Sequence, residues 1–479
     1  MNETIVVPLW LYYLLWVLSI LFLLGRFARP LVRRLYHNRV ITAQKRLDER
    51  LDYGLANSTF FKRDTWIDRL LDDVEVQKAI KRSNDNNKQL SHFESCKNAR
   101  AIAEEIIPSF NALLYLRVGY WFTRNILRLL YWIQVGYPNN KDSSKSYNKI
   151  KRDSSVIIVS NHRSNIDPFL LVYMAFRQSA ISFSAGEWAK GWPIQQLIHS
   201  IGFYIIRRNN TDPLYRCILK RYVHMAVSEC VPQGLFLEGA LSKDGAMQPV
   251  HLGLLNYQIK AMNDGKCKEI VFVPAAINYD RFPEDVSIFE QITNHRKEFK
   301  NRNSFFSRFV LLGFLLRLIT YIFPRKYKPF GYAAVNFGEP LLLSEWQKNQ
   351  SGNLKNLGEI ERRKLVACLG KTLTERINSI MPITPMAIIA TVILKKPSGR
   401  LVSSDIISSA YDLIDDLSSL ESNILIEKND ISFSLEQAIY ILRKQKIISR
   451  GKNNDYYLEQ SKQKLLEYYA NSISHLVNK

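Results

Sequence analysis

The stretch "SNHRSNIDPFLL", Ser160 to Leu171, holds His162 and Asp167 with Pro168 directly after the acid. It follows the apolar run "SSVIIV". A histidine placed there can take a proton from a hydroxyl. An aspartate beside it can hold the other ring nitrogen, fix the tautomer and stabilise the imidazolium. The pair is two-thirds of a triad without an assigned nucleophile, which suits direct attack by a substrate hydroxyl. A plainer reading stands beside it: Asp before Pro is also a good helix N-cap with Pro at the first helical position.

Three more blocks put polar residues after apolar runs. In "IGFYIIRRNN" two guanidiniums, Arg207 and Arg208, leave a run that Gly202 enters; together they suit a phosphate clamp, or else a solvated basic loop. In "LFLEGALSKDGAM" Glu238 and Gly239 end a run, followed by Ser242, Lys243 and a DG turn. A carboxylate there can accept hydrogen bonds from substrate hydroxyls, while Ser242 and Lys243 can bind phosphate oxygens. In "FVPAAINYDR" Pro274 is expected to end or edge a strand.

The elements that must position these blocks alternate. Short β-branched runs occur at 155–160, 202–206, 234–238, 270–277 and 332–337. Helical patterns such as "PFLLVYMAFRQ" and "LYRCILKRYVHMAVSEC" lie between them. Strands alternating with helices predict an α/β fold, with a mixed, mostly parallel sheet flanked by helices. In such sheets ligands sit outside the carboxyl ends of the strands, where all four blocks fall. Beyond residue 346 the strand signal fades and helical patterns dominate. The expected organisation is an anchor over 1–25, a basic and polar linker over 26–100, the site-bearing domain over 101–345 and a helical region over 346–479.

The anchor is the uncharged run Ile5–Leu24, "IVVPLWLYYLLWVLSILFLL". About 20 apolar residues suffice to cross a bilayer. Arg26, Arg29, Arg33, Arg34 and Arg39 follow without an intervening acid, which places the bulk of the chain on the cytoplasmic side. Phe110–Ile133 reads as a helix lying in the interface, because Arg117, Arg124 and Arg128 fall within about 40° of each other on a helical wheel. Phe305–Phe323 is more apolar, but Arg308 and Arg317 lie on opposite sides, so it reads as surface-docked or re-entrant. The formal net charge is +22, from 66 Lys+Arg against 44 Asp+Glu, and implies an anionic partner. Hydrophobic residues make up 47%, enough for a large core and against wholesale disorder. The 5 Cys form no C-x-x-C pair, which argues against a disulfide framework and a zinc site.

Taken in order, N-H-x-x-x-x-D, G-x-x-x-I-R-R, F-x-E-G-x-x-S-K and V-P resemble the blocks of the glycerolipid acyltransferase family. The wording "AEEIIPSFNALLYLRVGYW", "SAGEWAKGWPIQQLI", "INYDR" and "VNFGEP" is similar to the branch of bacterial-type glycerol-3-phosphate and dihydroxyacetone-phosphate acyltransferases. The resemblance implies acyl transfer from acyl-CoA or acyl-carrier protein to the sn-1 hydroxyl of glycerol 3-phosphate, with no cofactor and no acyl-enzyme. It implies His162 as general base and Asp167 as its orienting partner. Arg207, Arg208, Glu238, Gly239, Ser242 and Lys243 would bind the acceptor and its phosphate. It implies a lipid bilayer as partner, with the catalytic domain on the cytoplasmic face of a bacterial inner membrane. Three departures bear on the acceptor. Leu237 and Leu241 stand where the family commonly has Pro and Arg, and His251 stands where Lys is usual in the branch. Leu241 cannot bind phosphate, so that role falls to Lys243, Arg207 or Arg208. Alternative acceptors are 1-acylglycerol 3-phosphate and dihydroxyacetone phosphate. A reading from another class is a non-catalytic, basic, membrane-tethered protein that binds polyanions. No nucleic-acid motif is present.

Overall fold

The computed structural model describes residues 63–86, 91–111, 115, 120–137, 150–151, 153–175, 181–191, 194–207, 210–262, 267–285, 289, 328–350, 358–396, 401–419, 423–424, 426, 430–451 and 455–477. The expected anchor at Ile5–Leu24, the apolar run Phe305–Phe323 and Arg208 lie outside the described residues. Among the described residues no helix is long and apolar enough to cross a membrane.

Eight strands form one sheet: β1 (Trp132–Gly136), β2 (Ser154–Ser160), β3 (Ser182–Ala185), β4 (Tyr204–Ile205), β5 (Gln233–Phe236), β6 (Glu269–Tyr279), β7 (Tyr332–Phe337) and β8 (Leu341–Leu342). The order is β1-β7-β6-β2-β5-β3-β4, with β8 also on β6. Strands β6, β2, β5, β3 and β4 run parallel, while β7 and β8 run antiparallel to β6. The sheet is therefore mixed and mostly parallel, as the alternation of elements predicts.

Side chains alternate across the pleat, and that divides the core in two. Ile157 and Val159 of β2, with Ile270 and Phe272 of β6, face one cluster. There they pack on Leu255 and Ile259 of a helix at Leu252–Ala261, and on Val366, Leu369, Leu373 and Ile377 of a helix at Glu359–Ser379. Ile158, Val271, Val273 and Ile277 face the other cluster, with Leu170, Met386, Leu435 and Leu466. Both faces are covered, so the strands read as near-continuous apolar runs.

Helices are labelled here in chain order: α1 (Arg63–Leu71), α2 (Val74–Asn86), α3 (His92–Ile106), α4 (Tyr120–Leu130), α5 (Asp167–Ala175), α6 (Ile194–Ser200), α7 (Pro213–Ser228), α8 (Leu252–Ala261), α9 (Leu343–Lys348), α10 (Glu359–Ser379), α11 (Pro385–Lys395), α12 (Ser403–Ser419), α13 (Ile431–Lys444), α14 (Gln463–Asn471) and α15 (Ser474–Val477). Ser91 and Glu94 close α3 with a reciprocal capping box. Asp212 caps α7 with Pro213 behind it.

Three expectations need correction. Pro274 neither ends nor edges a strand but sits inside β6, opposite Val159 of β2. Its carbonyl, on the far side from β2, accepts Gly338 N–H at 2.8 Å. A residue's N and C=O point the same way in a strand. The missing donor of Pro274 thus faces the corner between β7 and β8, where the ladder is interrupted. Phe110–Ile133 is not one helix: only Tyr120–Leu130 is α4, and Trp132 begins β1. Leu127, Leu130 and Tyr131 are buried, so the apolar surface read as membrane-facing belongs in part to the core. The region after residue 346 is not purely helical: Leu401–Val402, Ile448–Arg450 and Asp455–Leu458 form a small antiparallel sheet.

Helix α14, followed only by the short α15 among the described residues, reaches the carboxyl edge of the large sheet. A Cβ added to Gly245, at φ +86°, would lie 1.8 Å from the Tyr468 carbonyl oxygen. Asn471 Nδ2 donates to Asp244 O at 2.9 Å, and Asn278 Nδ2 donates to Ser472 Oγ at 3.1 Å. The loop of the third sequence block is thus packed directly against the chain's last helical turns.

Candidate active site

β2 and its neighbours β5 and β6 are parallel, so their carboxyl ends meet at one edge of the sheet. Asn161, the first residue past β2, ties that edge together. It donates from Nδ2 to Ile277 O and accepts from Ile277 N–H, both at 2.8 Å. His162 follows. Its backbone N–H donates to Glu238 Oε1 at 2.9 Å, and its ring stacks on Phe236 with centroids 4.1 Å apart and planes 13° apart. The ring is fixed in plane as well, with Nδ1 2.8 Å from Asp167 Oδ2.

Asp167 is fully buried and saturated with donors. Oδ2 also accepts Arg163 N–H at 2.7 Å and Ser164 N–H at 3.0 Å. Oδ1 accepts the Tyr279 hydroxyl at 2.8 Å. An acceptor-only carboxylate is what such a set of donors requires. Neither oxygen caps α5 among the described residues, so the N-cap reading gives way to the His-orienting one. With Nδ1 donating to Asp167, Nε2 carries the lone pair. Nε2 makes no hydrogen bond among the described residues, which leaves it open to a substrate hydroxyl.

The loop from His162 to Asp167 has its own support. Ser164 Oγ donates to Glu284 Oε2 at 2.6 Å, and Asn165 Nδ2 donates to Glu284 Oε1 at 3.0 Å. Burial pushes the Glu284 carboxyl up, against the lowering by Ser164 and Asn165. Arg163 is buried, donates to Gly245 O, and lies over the Tyr468 ring at 6.0 Å.

The third block is placed next to the first but is built differently from expectation. Glu238 is buried, and its second oxygen takes Gln248 N–H at 3.1 Å. Its carboxylate thus orders main chain under His162 rather than standing open to substrate hydroxyls. Burial pushes it up, with Arg163 opposing. Ser242 is also buried: Oγ donates to Ala246 O at 2.7 Å and accepts Gly245 N–H at 3.1 Å, while Ser242 N–H donates to His162 O at 2.9 Å. It staples the loop and has no hydroxyl face left for phosphate. Gly239 has φ +63°, with the His251 ring against it. Lys243 is exposed on the same loop. Leu241 packs partly buried against the core, as an apolar residue should.

The second block lies further off. β4 is three strands from β2, about 14 Å at the usual strand spacing. Arg207 makes a bidentate pair with Glu105 of α3, Nε to Oε1 at 2.9 Å and Nη2 to Oε2 at 2.6 Å. Its guanidinium lies 5.2 Å from the Tyr215 ring centroid, and the Arg207 backbone N–H donates to Tyr215 OH at 2.7 Å. Lys190 Nζ pairs with the same Glu105 at 2.7 Å. Burial would raise Glu105, but the bonds from Arg207 and Lys190 outweigh it and hold the carboxyl below its ordinary value.

Tyr279, Glu284, Glu105 and Lys190 carry no local pattern in the sequence that marks them as site residues. Tyr279 ends β6, the neighbour of β2, so only the strand pairing brings it to Asp167. Among the described residues no group of three or more His, Cys, Asp and Glu is placed to hold a metal ion.

Comparison with known proteins agrees with the blocks. The acyltransferase family model matches residues 143–278, and the model of the glycerol-3-phosphate acyltransferase C-terminal region matches 315–478. A curated glycerol-3-phosphate acyltransferase of Aeromonas hydrophila is 26% identical over 85% of this chain and 49% of its own. One of Haemophilus influenzae is 23% identical over 86% and 50%. The chain spans about half the length of these relatives. A solved structure, the 1-acyl-sn-glycerophosphate acyltransferase of Thermotoga maritima, overlaps 55% of this chain and 80% of its own at 18% identity and a TM-score of 0.31.

Proposed function

Because the chain belongs to the glycerolipid acyltransferase family, we propose that it transfers a fatty acyl group from acyl-CoA or acyl-carrier protein to the sn-1 hydroxyl of glycerol 3-phosphate. The observation that carries this reading is the His162–Asp167 pair: a stacked, in-plane imidazole with Nδ1 on a saturated carboxylate and Nε2 open. In the proposed step Nε2 takes the hydroxyl proton as the oxygen attacks the thioester carbonyl. The tetrahedral intermediate collapses, the C–S bond breaks, and the thiolate leaves with a proton returned from the imidazolium. No acyl-enzyme is needed, and no cofactor enters.

In this reading Glu238, Gly239 and Ser242 shape the loop, while Arg207, Arg208 and Lys243 meet the acceptor's phosphate. The product partitions into lipid. A tether at Ile5–Leu24 with the cytoplasmic face of a bacterial inner membrane beside the site is the matching localisation, and the bilayer the matching partner.

The test is acyl transfer from palmitoyl-CoA to glycerol 3-phosphate by full-length protein in vesicles, with His162→Ala alongside. Loss of general base catalysis lowers kcat by about 10²–10⁴-fold. A wild type active only on 1-acylglycerol 3-phosphate or dihydroxyacetone phosphate would move the acceptor, and equal rates with His162→Ala would remove the base.

A further inference from the structure

Arg163 stands between His162 and Asp167, yet its side chain serves neither. Its backbone N–H holds Asp167 Oδ2 at 2.7 Å, while its guanidinium is buried and crosses to the loop of the third block, donating to Gly245 O. The same guanidinium lies 6.0 Å from the ring centroid of Tyr468, a residue of α14. Gly245 sits on the Tyr468 carbonyl with no room for a Cβ, and Asn471 of α14 donates to Asp244 O at 2.9 Å. The loop of the base, the loop of the third block and α14 meet at one buried cation.

We propose that Arg163 and Tyr468 form a clasp that positions the His162–Asp167 pair, so that α14 acts in catalysis and not in the core alone. Neither residue touches substrate, and both are positioning residues. The kinetic part of the proposal rests on the acyl-transfer reading above.

Three observations carry it. First, the hydrogen bonds close a ring around the base. Arg163 Nη1 donates to Gly245 O, Gly245 N–H donates to Ser242 Oγ, and Ser242 N–H donates to His162 O, which is bonded through its own peptide to Arg163. A shift of the guanidinium therefore reaches His162 from both sides. Second, packing alone does not account for the residue. A buried charge costs free energy that an apolar side chain of similar volume would not, and it stays only where partners compensate it. Here Glu238 supplies the opposing charge and Tyr468 the ring face. Third, α14 also backs the other support of Asp167. Tyr279, whose hydroxyl holds Oδ1, shares with Arg163, Tyr468 and Tyr469 a cavity of about 10 Å³. That is room for about one water and no ligand, so the helix sits against the pair without slack.

The experiment uses the full chain in vesicles, with rates and thermal midpoints measured for wild type, Tyr468→Leu, Tyr468→Phe, Arg163→Lys and the control Leu466→Ala. Leu466 is buried in the same helix, in the core cluster. Rates are taken well below each midpoint. Tyr468→Leu is expected to lower kcat about ten- to a hundredfold, as small displacements at the reacting atoms do, with KM for glycerol 3-phosphate changed less than about twofold. Tyr468→Phe keeps the ring under the guanidinium and should restore kcat. Arg163→Lys keeps the charge but loses the planar fork, and should lower kcat in the same way. Leu466→Ala should lower the thermal midpoint and keep kcat. An unchanged kcat in Tyr468→Leu overturns the clasp, and so does an equal loss of kcat in Leu466→Ala, since any loosening of α14 would then suffice. A Phe variant as slow as the Leu variant overturns the ring contact. A second readout needs no turnover. The Nδ1–H proton resonance of His162, assigned by its loss in His162→Ala, should broaden or vanish in Tyr468→Leu and persist in Leu466→Ala. Should wild type show no transfer, the acyl-transfer reading fails by itself, and this resonance decides: its loss in Tyr468→Leu supports the clasp, and an unchanged line overturns it.

Discussion

Two regions on the same edge of one sheet hold their charged residues by different means. At the end of β2, a central strand, Asp167 is held by two main-chain N–H groups, a tyrosine hydroxyl and the His162 ring, all out of water. At the end of β4, an edge strand, Arg207 is held by the side chains of Glu105 and Tyr215, with a third of its surface wet. Main-chain donors cannot drift relative to the fold, so the first region suits proton transfer, which fails over small displacements. Side-chain partners in a more polar setting can adjust, which suits a ligand that must come and go.

The largest expected effect breaks the first region alone. Asp167→Asn keeps the shape but puts an NH₂ at one of two positions where only acceptors fit, and a weaker, neutral acceptor at the other. Its amide would face N–H donors, and the hold on the Nδ1–H tautomer weakens. The expected loss in kcat is about 10²–10⁴-fold, with KM for the acceptor changed far less. Comparable loss in KM and kcat would show that the two regions are one. A smaller effect sharpens the same point. Tyr279→Phe removes one donor from the buried Oδ1 and leaves that oxygen unpaired, at a cost of about 1–3 kcal/mol. The expected readouts are a lower thermal midpoint and about a tenfold lower kcat, again with KM little changed. An unaltered kcat would mean that the main-chain donors suffice.

The sequence showed the first region more fully than the second, for physical reasons. The runs at 155–160, 270–277 and 332–337 lie within β2, β6 and β7, because strands buried on both faces carry unbroken β-branched runs. His162 and Asp167 sit a few residues apart, so one loop brings them together and local pattern suffices. Tyr279, Glu284, Glu105 and Lys190 come from β6 and beyond, from α3 and from the turn after β3. Their meeting depends on strand order, which no single stretch encodes. Glu238 and Ser242 were legible as residue types, but their orientation was not: both turn inward to main-chain donors. β1 was hidden because "WIQVG" continues an aromatic helical stretch without a break, and the C-terminal strands were hidden because two to four residues show no period.

The smallest expected effect separates the regions without any mutation. Exposed charges lose interaction energy as salt shortens the Debye length from about 10 Å at 0.1 M towards 3 Å at 1 M, while buried pairs are screened much less. The Glu105–Arg207–Lys190 cluster is partly exposed, and a phosphate arriving there would meet a screened field. The His162–Asp167 pair is enclosed, with side chains 9% and 0% exposed. Raising NaCl from about 0.05 to about 0.5 M should therefore raise KM for glycerol 3-phosphate a few-fold and leave kcat nearly constant. The measurement is a set of initial rates at saturating acyl donor in neutral vesicles, so that salt acts on the acceptor and not on membrane attachment. A fall in kcat with constant KM would reverse the assignment of the two regions, since it would put the salt-sensitive charges at the proton-transfer step.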